Sequence, residues 1–257
     1  MPSVDVVIEC PVYDSFRVQQ VAGMFDVPLE EKVRESFHVE LPGRHEAWQI
    51  GLIVGPSGSG KTTVARQYFG DEIYSGGSWP ADRAVIDGFA ELSTKEITSL
   101  LTAVGFSSPP SWVKPYHVLS RGEQFRCDLA RALSSGGRRA ESEEQGQPSQ
   151  TDGPNLPPSS LPTPPSLVVY DEFTSVVDRN VARICSAAIS KGIRNGHIPC
   201  RFVAVTCHRD VADWLEADWV LDMASGTLTR RRLRRPRIEL EIFRCRLRAW
   251  DLFKRHH

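Results

Sequence analysis

The chain has 257 residues, 40% of them hydrophobic and 25% charged, enough to bury one sizeable core with a small appendage. No run approaches the ~20 consecutive apolar residues that span a bilayer. The N-terminal region carries Asp5, Glu9, Asp14 and Asp26 where an export signal would be basic and then apolar, so a soluble, cytoplasmic protein is expected. The six cysteines, at 10, 127, 185, 200, 207 and 245, form no CxxC pair and no metal-ligand spacing, which predicts reduced thiols.

Net charge is −1, but it is distributed unevenly. Arg230 to His257 holds eleven Lys or Arg against three Asp or Glu, a net +8 that leaves −9 on residues 1–229. An acidic body with a basic end suits either an anionic partner for that end or a solvated terminus.

In chain order, Val4–Glu9 (VDVVIE) and Phe37–Leu41 read as strands. Gln49–Val54 (QIGLIV) is nearly continuous in apolar residues, the pattern of a strand buried on both faces, and it stops at a glycine-rich loop before a helical pattern from Thr62 to Tyr68. Leu167–Tyr170, Phe202–Thr206 and Trp219–Leu221 are further buried-strand candidates, with helical patterns over Asp178–Lys191 and Asp210–Glu216 between them. Strands alternating with helices predict an α/β fold: a mostly parallel sheet covered by helices on both faces. Residues 134–166 interrupt this pattern. They are rich in Pro, Ser, Gly, Gln and Glu and lack aromatics, so a disordered surface insert is expected, either a plain linker or a Pro-rich ligand for an SH3-like partner.

The loop reads Gly55-Pro56-Ser57-Gly58-Ser59-Gly60-Lys61-Thr62-Thr63, which fits G-x-x-x-x-G-K-[ST] between a strand and a helix. Its glycines let the backbone wrap so that amide groups face phosphate oxygens, and the following helix presents its positive end there. Lys61 is expected to reach the β- and γ-phosphates, and the Thr62 hydroxyl to coordinate Mg²⁺. Leu167–Glu172 (LVVYDE) is an apolar strand ending in two carboxylates. Asp171 is placed to help hold the metal, and Glu172 to polarise an attacking water.

Leu119–Gln124 (LSRGEQ) leads into a second helical pattern, FRCDLARAL; Thr174–Asp178 (TSVVD) and Thr206–Asp210 (TCHRD) follow the acidic pair. The order P-loop, LSRGEQ, LVVYDE, TSVVD, TCHRD resembles the ABC ATPase family, and the resemblance covers most of Val4–Thr229. It implies a P-loop NTPase of the ABC ATPase type, with an antiparallel N-terminal β part and a domain over residues 1–229. It implies Mg-dependent ATP hydrolysis in a head-to-tail dimer, either a homodimer or a pairing with a similar ATPase domain. ATP would lie between the P-loop of one protomer and the signature of the other, with Ser120, Gly122 and Glu123 at the γ-phosphate and Asp178 in the connecting D-loop. By the same resemblance His208 is the switch histidine that contacts the γ-phosphate, and Phe25 either stacks on adenine or packs in the core.

Three features depart from the family pattern. Arg121 replaces the first signature glycine, giving an LSxGE form that resembles soluble SMC-like and DNA-repair ATPases at least as much as transporters. No glutamine stands between Gln67 and Gln124, so the Q-loop glutamine is missing, and Ala81 or Asp82 falls in its place after Trp79-Pro80. Only 58 positions separate Lys61 from Leu119, which predicts a reduced helical subdomain. A soluble ATPase that operates an attached or associated module is the leading expectation. The alternatives are the ATP-binding subunit of a membrane transporter and a nucleotide-gated clamp on nucleic acid. The basic tail, residues 230–257, resembles the opening of a GNAT acetyltransferase domain without its acetyl-CoA-binding part; it reads alternatively as a nucleic-acid-binding arm or a solvated terminus.

Overall fold

The β-branched and apolar runs that read as buried strands do assemble into one sheet. The computed structural model describes residues 2–11, 13–28, 32–89, 92–144 and 166–230. Among these, strand β1 (Ser3–Pro11), helix α1 (Phe16–Phe25) and strand β2 (Lys32–Glu40) form an N-terminal unit in which β1 and β2 pair antiparallel, Val6 opposite Phe37. Next come β3 (Ile50–Val54), α2 (Lys61–Phe69), the short β4 (Ile73–Tyr74), α3 (Thr94–Ala103), α4 (Pro109–Trp112) and α5 (Arg121–Glu144). The described chain closes with β5 (Ser166–Tyr170), α6 (Arg179–Arg194), β6 (Cys200–Thr206), α7 (Val211–Leu215), β7 (Trp219–Asp222) and β8 (Thr227–Arg230).

The main sheet runs β4-β5-β6-β3-β7-β8, parallel throughout except for the antiparallel last pair. Strands β3 and β6 are buried along their whole length, as uninterrupted apolar runs require when both faces are covered. One face packs on α3, α5 and α6 through residues such as Leu52, Leu129, Phe173, Ile189 and Phe202. The other packs on α2 and the N-terminal unit through Val6, Val39, Ile53, Val64, Phe69 and Trp219. The expected α/β architecture, mostly parallel with an antiparallel N-terminal part and few helical residues between α2 and α5, is what the chain adopts.

Gly51 shows how closely this second layer is packed. It pairs with Trp219 across β3 and β7, and a Cβ added to it would fall 2.1 Å from the indole ring. The ring is 1% exposed and meets Trp48 edge-on, 5.4 Å between centroids.

Several sequence expectations need correction. The stretch expected to be disordered from residue 134 continues helix α5 to Glu144, since Arg138, Arg139, Ala140, Glu141, Glu143 and Glu144 favour helix and no proline intervenes before Pro148. Helix α1 had no forecast, although Val18, Val21, Ala22 and Phe25 stand at helical spacing after the Ser15 cap; it buries none of its residues. The strand expected at Phe37–Leu41 begins at Lys32, and Arg230, assigned to the tail, completes β8 opposite Trp219. Residues 145–165 and 231–257, and with them the expectations of an insert ligand, a GNAT-like opening and a nucleic-acid arm, lie outside the described residues.

Candidate functional site

Strands β5, β6 and β3 are neighbours and parallel, so their carboxyl ends share one edge, the edge where open α/β sheets bind ligands. The loop Gly55–Gly60 leaves β3 there and enters α2 directly at Lys61. Two of its glycines have left-handed backbone, Gly58 at φ +80 and Gly60 at φ +77, and Gly60 also lies against the Phe37 ring, which an added Cβ would meet at 2.8 Å. Only glycine satisfies both conditions at position 60. Lys61 is buried, and its ammonium donates to the Pro56 carbonyl at 2.7 Å, spanning the mouth of the loop. Ser59 Oγ donates to the same carbonyl at 2.9 Å. Gly55 is buried against Met223, while Pro56, Ser57 and Gly58 are exposed and Thr62 and Thr63 half-buried.

Thr62 Oγ1 donates to Asp171 Oδ1 at 3.2 Å, joining residues 109 positions apart. The same carboxylate oxygen accepts the Glu172 N–H at 2.9 Å. A six-coordinate Mg²⁺ with ~2.05 Å bonds sets adjacent ligand oxygens about 2.9 Å apart. The threonine and aspartate oxygens therefore stand nearly at that spacing and have the hard-oxygen chemistry Mg²⁺ prefers. Among the described residues no group of three or more His, Cys, Asp or Glu gathers as a metal site, which leaves a metal here dependent on phosphate oxygens and water for its remaining ligands.

Glu172 is exposed in left-handed backbone (φ 53), and the chain then turns under β6, with the Phe173 N–H donating to Val205 O at 2.9 Å. Thr174 is also left-handed (φ 66) and fully buried, with no hydrogen-bond partner for its hydroxyl among the described residues. A β-branched residue in that conformation is strained, and strain of this kind concentrates at functional turns. Asp178 caps α6, accepting from the N–H groups of Asn180 and Val181. His208 lies just past β6, half-buried, its N–H donating to Thr206 Oγ1, and exposed Cys207 precedes it. Arg179, beside Asp178, pairs with Asp210, two residues beyond His208, and lies over the Trp214 ring; the two turns are thereby tied together.

Signature residues stand apart from this cluster. No hydrogen bond or ion pair among the described residues joins Ser120, Arg121, Gly122 or Glu123 to the loop. Ser120 and Glu123 form a reciprocal cap at the start of α5: Ser120 N–H and Oγ both donate to Glu123 Oε2, at 2.9 and 2.7 Å. Ser111 Oγ donates to the other carboxylate oxygen at 2.7 Å. These bonds, from Ser111 first and Ser120 next, hold the Glu123 carboxyl below its ordinary value. The N–H groups and hydroxyl expected to await a γ-phosphate are therefore in part occupied by the chain's own carboxylate. The S-x-x-E spacing of a capping box was present in the sequence and goes unused in the motif reading.

A carboxyl with a lowered folded-state value adds stability above its unfolded value of about 4.3 and loses that contribution as pH falls through the lowered one. Glu123→Gln is accordingly expected to flatten the acid limb of the unfolding curve between about pH 5 and 3 relative to the parent, which urea denaturation at stepped pH reads. Parallel acid limbs in the two proteins would refute the assignment.

Two further expectations fare differently. Phe25 ends α1 and is 70% exposed, outside the core packing that one of its readings required; Phe37 is the aromatic set against the loop. Asp82 is exposed in a turn. Beside Asp171 lies a cleft of about 460 Å³ lined by Tyr74, Gly76, Gly77, Trp79, Tyr116, Asp128 and Tyr170. Trp79 is stacked on Tyr116 at 5.0 Å and covered by the Arg131 guanidinium at 3.7 Å. Asp128 accepts from Trp79 Nε1 and Tyr116 Oη, both at 2.7 Å. Burial pushes the Tyr74 hydroxyl up to about 12, and burial with the Asp128 bond raises that of Tyr116. Sequence spacing gives no hint of this cluster, because its members are single aromatics on separate elements.

The fold and the loop together define a P-loop α/β domain. The chain matches no protein-family model and no curated protein. Many solved structures are similar to it, three of which are described next. One is the dimeric structure of MJ0796, a bacterial ABC transporter cassette, at 14% identity over 75% of this chain and 88% of that one, TM-score 0.47. A second is the post-hydrolysis dimer of the ATP-binding cassette MJ0796 bound to ADP and Pi, at 14% identity over 79% and 93%, TM-score 0.49. The third is a bacterial Atm1-family ABC exporter with ATP bound, at 16% identity over 74% of this chain and 33% of that one, TM-score 0.46.

Proposed function

We propose that this protein is an ABC-type ATPase that binds ATP with Mg²⁺ and hydrolyses the γ-phosphate in a site completed by a second protomer. The observation that carries the reading is the meeting of Thr62 and Asp171 at 3.2 Å beside the buried Lys61, which joins two sequence motifs into one phosphate-and-metal site. Lys61 would leave the Pro56 carbonyl for the β- and γ-phosphate oxygens, and the loop amides would surround them. Thr62 and Asp171 would hold Mg²⁺, which supplies neutralisation of charge on the phosphates.

Glu172, exposed on the turn after Asp171, is the carboxylate available to orient the attacking water and accept its proton. His208, on the adjacent strand end, would donate to the γ-phosphate and fix the line of attack. Phosphoryl transfer asks mainly for such positioning and charge, so no covalent intermediate on the protein is invoked.

A soluble ATPase is the finer reading. It is supported by the compact stretch between α2 and α5, which leaves little helical surface there for gripping a membrane partner. Co-sedimentation of the expressed protein with membranes through an integral partner would instead favour a transporter subunit.

Replacement of Asp171 by Asn tests the site itself. Metal-dependent binding of a fluorescent ATP analogue is expected to weaken roughly 10–100-fold, with Mn²⁺ binding in the ATP complex, read by electron paramagnetic resonance, weakened alongside. Unchanged metal and nucleotide affinity would remove Asp171 from the site and the reading with it.

A further inference from the structure

The donors at the start of α5 are already engaged within the chain. Ser120 gives its N–H and its hydroxyl to Glu123, whose other oxygen takes the Ser111 hydroxyl. A full carboxylate charge there exceeds the roughly half unit of positive charge that a helix N-terminus carries. Lys114 offsets part of that charge, and a γ-phosphate brought to this surface by a second copy would need a further cation set directly against it.

Arg121 is that cation. It is exposed, and it makes no hydrogen bond or ion pair among the described residues. Its backbone is well anchored: the next residue, Gly122, is packed so closely on α6 that an added Cβ would stand 3.3 Å from Val181. Arginine also keeps its proton at any working pH and can face a phosphate with two parallel N–H donors. In a glycine-type signature nothing at this position could do so.

We propose that Arg121 acts in trans, pairing with the γ-phosphate of ATP held by the Gly55–Thr63 loop of a second copy. It thereby replaces the donors that Ser120 has given to Glu123. The inference rests on the shared-site reading above and assigns one further residue to it. It makes the interface sensitive to the terminal phosphate, because ADP leaves the guanidinium without a partner.

The test uses the full chain in the Glu172→Gln background, so that hydrolysis does not obscure assembly. Dimer formation with Mg²⁺ and ATP is measured by sedimentation for the parent and for Arg121→Lys, Arg121→Ala and Arg121→Glu. Binding of a fluorescent ATP analogue at protomer concentrations below assembly is the control for the loop. The dimer constant is expected to weaken at least tenfold in Arg121→Ala, more in Arg121→Glu, and less in Arg121→Lys, which keeps the charge without the planar fork. Melting temperatures of the variants report folding, and an exposed side chain leaves them near the parent. If the parent dimerises with ATP and Arg121→Ala does so equally well, the trans role is overturned while the shared site stands. If the parent binds ATP yet remains monomeric, the shared-site reading fails and the role of Arg121 falls with it.

Discussion

Glu172→Gln is expected to lower phosphate release by at least ~100-fold while ATP still binds, and to convert the protein into an ATP-dependent dimer that survives size-exclusion chromatography. The magnitude follows from the usual contribution of a positioned base, on the order of 10²–10⁴. The geometry makes the substitution clean. Glu172 is exposed, its side chain accepts no bond among the described residues, and its N–H donates to Asp171 Oδ1, a bond that glutamine preserves. Gln also tolerates the left-handed backbone as well as Glu does, since neither is branched at Cβ. A variant that turns over ATP at the parent rate would assign the base elsewhere, with His208 the next candidate on the same edge. Loss of turnover without any dimer would leave Glu172 catalytic but argue against a composite site.

The second large effect concerns stability. Gly51→Ala is expected to destabilise the fold by about 3 kcal/mol or more, at the top of the range for overpacked cores. The added methyl would occupy space 2.1 Å from Trp219 Cζ2 and 2.3 Å from Cε2, and the ring is held by Trp48 on one side and the sheet on the other. For a chain of this size such a loss lowers the melting temperature by roughly 6–12 °C. Trp219→Leu in the Gly51→Ala background should recover part of it, since the clash is pairwise and a double-mutant cycle isolates it. A melting temperature within about 1 °C of the parent would mean that β3 and β7 do not pack in this register. Because β3 delivers the phosphate loop, nucleotide affinity is expected to fall along with stability.

How much of this was legible in the sequence depends on how local the signal is. The phosphate loop was plain, because its chemistry demands Gly58 and Gly60 at positive φ and a lysine at the mouth, all within nine residues. Strands buried on both faces were equally plain, since Ile50–Val54 and Cys200–Thr206 carry the apolar run itself. The pairing of Thr62 with Asp171 could be anticipated only from what a P-loop site asks of its metal, an acid at a neighbouring strand end, as nothing within the chain's local pattern links residues so far apart.

The aromatic cleft could not be anticipated at all. Trp79, Tyr116 and Asp128 acquire meaning only once an irregular loop, a 3-10 segment and α5 are brought together, and each alone reads as an ordinary packing residue. Ser120 illustrates a different failure. Two readings of the same four residues compete, a phosphate cap and a self-cap with Glu123, and the motif reading prevailed although the capping pattern was visible. The same pattern recurs at Ser93 and Glu96, where no phosphate role competes and the self-cap is simply what forms. Helix α1 was legible from its Ser15 cap and the helical spacing of Val18, Val21, Ala22 and Phe25, and was passed over even so; none of its residues is buried.

The thiol beside His208 has a practical use. Of the four cysteines whose surroundings are described, Cys127, Cys185 and Cys200 are buried, and burial raises their values above that of an ordinary thiol, whereas Cys207 is exposed. An alkylating fluorophore would therefore react at Cys207 in preference to those three, one residue from His208 and in the turn whose Asp210 pairs with Arg179. Its emission would change when nucleotide or a second protomer covers that edge, giving an optical readout of binding in real time.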